Sequence, residues 1–176
     1  MTGRDKLRDL LVGKYTKRTA RSRAVYRRAQ KVMIEGGSHT IRLWKPYPFF
    51  AAGAAGPLVR DIDGNDYIDF WQGHYANILG HNPGLIRKGM AASLGRGALH
   101  TGFEAGHQIE LAERLVRAVG GGDAKVRFTT SGTLATMYAV MLAQGLTGRD
   151  LVLKVGGGWH GASPYLLKGV KYHGKE

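Results

Sequence analysis

The sequence contains no cysteine among its 176 residues, which excludes a disulfide framework, a thiolate metal site and a thiol nucleophile. Acidic residues are scarce: 13 Asp and Glu stand against 26 Lys and Arg, for a net charge of +13. An excess of this sign fits nucleic acid, an anionic membrane surface or an acidic ligand. Long apolar runs are missing as well. No stretch reaches the length of a membrane span, and the opening MTGRDKLRDLLVGKYTKRTARSR has no apolar stretch of the secretory-signal kind. The expectation is a cytoplasmic protein without a membrane partner. The seven histidines are scattered without His-x3-His spacing or acidic neighbours, so no metal site is expected.

What is present has globular proportions, 43% hydrophobic and 22% charged residues. The length suffices for one domain with an ordinary core and is short for a two-domain enzyme. Half of the 26 basic residues fall in the first 45 positions. Within YTKRTARSRAVYRRAQKVM, Val25, Ala29, Val32 and Met33 form an apolar stripe on an otherwise basic helix. This predicts a helical segment over 1–35, with a basic helix from about Arg18 to Ile34 ended by Gly36 and Gly37. The charge is not accompanied by zinc-finger spacing, an RNP-like aromatic motif or a basic-leucine heptad, so nucleic acid is not an expected partner. A non-catalytic basic binding module stays open as an alternative.

Residues 36–104 have a different texture. Phe49 to Ala51, Leu58 to Asp61 and Tyr67 to Trp71 read as short antiparallel strands, with Asp63-Gly64 as a tight turn. After Pro83, the spacing of Leu85, Ile86, Met90 and Leu94 predicts a helix, and a further helix covers Gln108 to Val119. From 105 to 176 the pattern is β-α-β: strand Val126 to Thr129, helix Leu134 to Leu146, strand Leu151 to Val155. The fold class is therefore α/β with a parallel sheet, whose ligands sit beyond the carboxyl ends of the strands.

Two motifs fall at those ends. In RFTTSGTLATM, Gly132 lets the backbone approach an anion, Ser131 and Thr133 offer hydroxyls, and the following helix points its positive end at the same place. Taken alone, Ser131 is equally a plain helix cap. In GGGWHGA, Trp159 offers a flat face to a planar heterocycle, although a tryptophan packed under a loop and a structural His160 explain the stretch too. A phosphate-bearing aromatic cofactor uses both motifs together.

The succession DIDGNDYIDF, ILGHNP, VRFTTSGTLATM, TGRD and GGWHGA resembles the class III, fold-type I pyridoxal-phosphate aminotransferases, most closely the glutamate-1-semialdehyde 2,1-aminomutase branch. The resemblance spans about Gly36 to Val170. It implies an N-terminal helix and small-domain strands followed by the first β-α-β of the large parallel-sheet domain. It implies pyridoxal 5'-phosphate as cofactor, with its phosphate held by Ser131, Gly132 and Thr133. Trp159 stands where the family usually stacks a tyrosine on the pyridine ring, and His160 completes that motif. GGSHTIR resembles the family's Pro-Gly-Gly segment, which makes Arg42 the candidate for binding the carboxylate of a small amino or keto substrate.

There are departures from the pattern. Leu134 replaces a glutamate at the helix start, and GHNPG lacks the second histidine of the Gly-His-x-His-Pro form. The family's Schiff-base lysine lies beyond position 176, and Lys154, Lys168 and Lys171 follow the phosphate motif too closely to take its place. The expectation is thus an N-terminal fragment, inactive alone, of an enzyme that is a homodimer at full length. That enzyme moves an amino group between molecules or within one semialdehyde. RLWKPYPFF keeps a β- or ω-amino-acid aminotransferase open as the alternative.

Overall fold

The computed structural model describes residues 2–100 and 102–170, and the chain divides into two compact units, Met1–Thr101 and Gly102–Glu176. The end of the expected cofactor segment, with Lys171, lies outside the described residues.

The first unit begins with α1 (Gly3–Arg18), inside the stretch expected to be helical. Thr2 starts it with a reciprocal cap: its Oγ1 accepts from Asp5 N at 3.3 Å while the Asp5 carboxylate accepts from Thr2 N at 3.0 Å. The basic helix expected from Arg18 to Ile34 is the shorter α2 (Ala20–Ala29), separated from α1 by a break at Thr19. The buried Thr19 hydroxyl donates to Tyr15 O at 2.7 Å and lies 3.1 Å from the Tyr47 phenol, so the break is tied into the interior. The helix also stops short of the expected glycines. A one-turn 3-10 segment, Ile34–Gly36, ends at Gly36 with Gly37 just beyond it, and a side chain on Gly36 (φ +76°) would meet the Tyr26 ring at 2.7 Å.

Thr19 provides no side-chain cap for α2, and the cap comes from far along the chain. Asp63, in the expected Asp-Gly turn, accepts from Arg21 N at 2.6 Å, Ser22 N at 2.9 Å and Ser22 Oγ at 2.6 Å. A carboxylate at the positive end of a helix is favourable on charge grounds as well. Burial alone pushes the Asp63 carboxyl up, but the hydrogen bonds from Ser22 and Arg21 outweigh it and hold the group below its ordinary 3.8. Asp63→Ala is expected to destabilise the chain by about 1–2 kcal/mol in urea unfolding at neutral pH. The penalty fades as pH falls below that ordinary value, because the wild-type carboxylate is then protonated as well. A penalty unchanged at low pH contradicts the charged-cap account.

The sheet is the expected antiparallel meander, β1 (Ala51–Ala55), β2 (Leu58–Asp61) and β3 (Asp66–Ile68), with Ala54 opposite Val59 and Val59 opposite Tyr67. The outer strands are displaced from their expected places. Pairing of β1 begins after Phe49, whose ring stacks on Tyr67 at 4.4 Å. β3 ends before Trp71 because the Asp69 carboxylate accepts from Trp71 N at 2.8 Å and Gln72 N at 3.1 Å, turning the chain away. There follow a one-turn α3 (Gln72–Tyr75), whose residues all have positive φ, and the expected helix α4 (Gly84–Gly95) after Pro83.

The second unit contains α5 (Gly106–Ala118), α6 (Gly132–Thr147) and the short α7 (Pro164–Leu167). The segments expected as strands, Val126 to Thr129 and Leu151 to Val155, join no ladder among the described residues. A strand of a parallel sheet exists only with strands beside it on which to hydrogen-bond. The side chains of that segment are open instead, Leu151 being 94% and Leu153 98% exposed. The ordinary apolar core expected from the length is absent too: among the described residues the buried apolar side chains are Ala29, Tyr47, Pro48 and Leu166. Small units leave much of their apolar surface uncovered.

Candidate functional site

Ser131 precedes α6 with extended backbone (φ −160°, ψ 157°), and its Oγ accepts from Leu134 N at 3.2 Å. It is therefore a true helix cap. Thr133 Oγ1 in turn accepts from Ala162 N at 3.1 Å. A hydroxyl that accepts keeps its own proton, so both remain donors. The amides of Gly132 and Thr133 make no hydrogen bond among the described residues. A built side chain on Gly132 would meet nothing within 4 Å. The first turn of α6 has no acidic residue, since Leu134 stands where a carboxylate would repel an anion. Two amides without a partner among the described residues and two hydroxyls thus lie in the first turn, at the positive end of a four-turn helix.

The glycine-rich loop lies directly on this turn. Gly161 is buried with φ +110°, and a Cβ there would fall 2.9 Å from Thr133 Cα and 3.1 Å from Thr136 Oγ1. Only a residue without a side chain permits this approach in this conformation. The Thr136 hydroxyl has one proton for three nearby carbonyls, and the shortest distance, 2.9 Å, is to His160 O. His160 Nε2 is buried without a hydrogen-bond partner among the described residues. Trp159, in the same loop, is 55% exposed.

Five of the six residues singled out in the sequence, Ser131, Gly132, Thr133, Trp159 and His160, therefore belong to the helix start and loop of one unit. Arg42 belongs to the other unit. It ends a 3-10 turn, Thr40–Arg42, is exposed, and donates from Nη1 to Ser38 Oγ at 3.0 Å. Sequence reasoning missed Thr136, although it lies one turn after Thr133 on the same helix face. It also missed Lys154, whose ammonium donates to Lys168 O at 2.8 Å and Gly158 O at 3.3 Å. In the first unit the histidine of ILGHNP pairs with Asp69, His81 Nε2 to Oδ2 at 2.8 Å, and this contact first, then backbone amides, hold the Asp69 carboxyl below its ordinary value despite burial. No hydrophobic period announces that pairing.

A family model described as "Aminotransferase class-III" matches residues 42–170. A glutamate-1-semialdehyde 2,1-aminomutase from Methanothermobacter thermautotrophicus is 41% identical over 147 residues, 84% of this chain and 34% of its own length. A solved transaminase with PLP bound is 36% identical with a TM-score of 0.79, over 84% of this chain and 34% of that one. An omega-transaminase from Sphaerobacter thermophilus is 32% identical with a TM-score of 0.80, over 85% of this chain and 34% of that one. The chain spans about a third of the length of the relatives it matches. The shared fold is the α/β fold-type I architecture expected from the motifs. By the extent of that match and the order of its motifs, the chain belongs to the class-III aminotransferase family.

Proposed function

We propose that this chain supplies the phosphate- and ring-binding part of a pyridoxal-phosphate-dependent aminotransferase or 2,1-aminomutase. The observation that carries the reading is the seating of the Trp159-His160 loop on the first turn of α6, through Gly161 against Thr133. When bound, pyridoxal phosphate supplies an electron-withdrawing ring that stabilises negative charge at a substrate carbon. The residues present fit it. The free amides of Gly132 and Thr133 and the hydroxyl of Ser131 receive a phosphate dianion at a helix N-terminus. Trp159, 55% exposed, gives the ring a flat face. Arg42 has the planar fork that suits the carboxylate of a small amino or keto substrate.

The aminomutase and the omega-transaminase both support amino-group transfer, and the second favours the β- or ω-amino-acid reading of the substrate. Exposed side chains such as Leu151 and Leu153 support a covering of this surface by further protein, and a cytoplasmic homodimer is the assembly we propose for the enzyme. Lys154 is held by two carbonyl oxygens, and the resemblance assigns no lysine of this chain to the Schiff base, so cofactor binding without turnover is the behaviour we propose for the chain.

Titration of the chain with pyridoxal phosphate tests the reading. Gly132→Val places a branched side chain in the open space before the two amides and is expected to weaken binding roughly tenfold or more. Leu134→Ala, which leaves every donor in place, is expected to have little effect. Equal effects of the two substitutions leave Ser131-Gly132-Thr133 as a helix cap and nothing more.

A further inference from the structure

The dipeptide Trp159-His160 is bracketed by two further side chains, Lys154 ahead of the glycine-rich loop and Thr136 inside α6. The carbonyl before it, Gly158 O, accepts from the Lys154 ammonium at 3.3 Å. The carbonyl that ends it, His160 O, accepts from the Thr136 hydroxyl at 2.9 Å. Lys154 also donates to Lys168 O at 2.8 Å, and Gly157 N donates to Gly169 O at 3.3 Å, so the first anchor is itself fastened to the segment after α7. The second anchor stands on α6, one turn beyond Thr133.

The geometry points to Thr136 and Lys154 as positioning residues that set where the Trp159 ring stands relative to the helix-start turn. The inference rests on the reading of that turn and loop as a phosphate and ring site. Its physical basis is conformational entropy. Three glycines, Gly156 to Gly158, lead into Trp159, and glycine loses more backbone freedom on ordering than any other residue. An aromatic plate on such a loop would have to be ordered each time a ligand bound, at a cost in affinity. Two hydrogen bonds to the loop's own carbonyls order it beforehand. Because one anchor rises from the helix that presents the amides, the spacing between ring face and anion contacts is set by a rigid element. Neither anchor needs to touch the ligand.

Thr136→Val keeps the shape of the side chain and removes the hydroxyl, and Lys154→Met keeps the stem and removes the ammonium. Both are expected to weaken pyridoxal phosphate binding about five- to tenfold while leaving the affinity for inorganic phosphate unchanged, and Thr136→Ser is expected to restore wild-type binding. A merely structural role lowers both affinities together, and that result overturns the proposal. A second readout needs no ligand. In the chain labelled with fluorotryptophan, the Trp159 resonance, assigned through Trp159→Phe, is expected to show faster local motion by fluorine relaxation in Thr136→Val and Lys154→Met. Unchanged relaxation overturns the positioning role whatever the titrations give. Faster motion in the variants of a chain that binds no pyridoxal phosphate supports the positioning role and sinks the reading of the site instead.

Discussion

Asp61→Ala is expected to destabilise the chain by about 3 kcal/mol or more, the largest effect of any single substitution in the first unit. Asp61 is 1% exposed and has no salt-bridge partner among the described residues; its charge is met by four donors. These are Asp63 N at 2.9 Å, Asn65 N at 2.8 Å, Asn65 Nδ2 at 2.9 Å and the Tyr67 phenol at 2.8 Å. Removing the carboxylate leaves all of them without their acceptor in a buried place, which costs more than the lost bonds alone. The damage spreads along named contacts. Asn65 is also the acceptor for the Arg18 guanidinium at 3.0 Å, and Asp63 is the cap of α2, so the α1–α2 junction depends on the same hub. Asp61→Asn, which keeps the shape, should recover part of the loss.

The pH dependence follows from the same contacts. Burial pushes the Asp61 carboxyl up, but the hydrogen bonds from Asn65, Tyr67 and Asp63 hold it below its ordinary 3.8. A group depressed in the folded chain contributes fully above its ordinary value, and the contribution is lost as pH falls through the lower folded value. On the alkaline side, burial first and then the bond to Asp61 push the Tyr67 phenol up to about 12. The neutral phenol is favoured on folding, so its contribution is complete below its ordinary 10.0 and is lost as pH rises toward about 12. Urea midpoints measured from pH 2 to 12 should form a plateau that Asp61→Ala lowers and flattens at both ends. An undiminished acid limb in that variant removes Asp61 as its source.

The elements that were legible in the sequence are those whose signal is local. The helix after Pro83 and α6 have period and punctuation in the chain itself, and Asp63-Gly64 marks a turn by its residue types alone. The break at Thr19 was not legible, because it depends on Tyr47, 28 residues away. Likewise the cap of α2 comes from Asp63, 41 residues from Ser22, which no local propensity encodes. The strand expected over Leu151 to Val155 is not formed among the described residues, because a ladder is a property of several segments and the described residues do not supply the neighbours. At the candidate site, Ser131, Thr133 and Trp159 were found by residue type in a motif. Thr136 and Lys154 were not, since a threonine inside a helix and a lysine after an apolar run carry no signal until the loop carbonyls are seen against them.

Gly161→Ala is expected to be the most damaging single-methyl change at the site, destabilising the loop by about 1–3 kcal/mol and weakening pyridoxal phosphate binding more than tenfold. Two costs act together. The residue has φ +110°, which alanine adopts only with strain, and its Cβ would lie 2.9 Å from Thr133 Cα, a backbone atom of α6 that cannot rotate out of the way. The loop must therefore lift from the helix, and lifting it separates Ala162 N from Thr133 Oγ1 and His160 O from Thr136. Gly132→Ala adds the same methyl group where nothing lies within 4 Å and where φ is not positive. In a ligand-free chain that substitution is expected to be neutral or stabilising by up to about 1 kcal/mol, because alanine is the better helix former. The pair separates fold from function: thermal melts should rank Gly161→Ala well below wild type and Gly132→Ala at or above it. Titration should show both weakened, the first because the ring face has moved and the second because the anion's space has narrowed. If Gly161→Ala melts and binds as wild type does, the loop is not seated on the first turn of α6, and the site loses the contact on which its geometry depends.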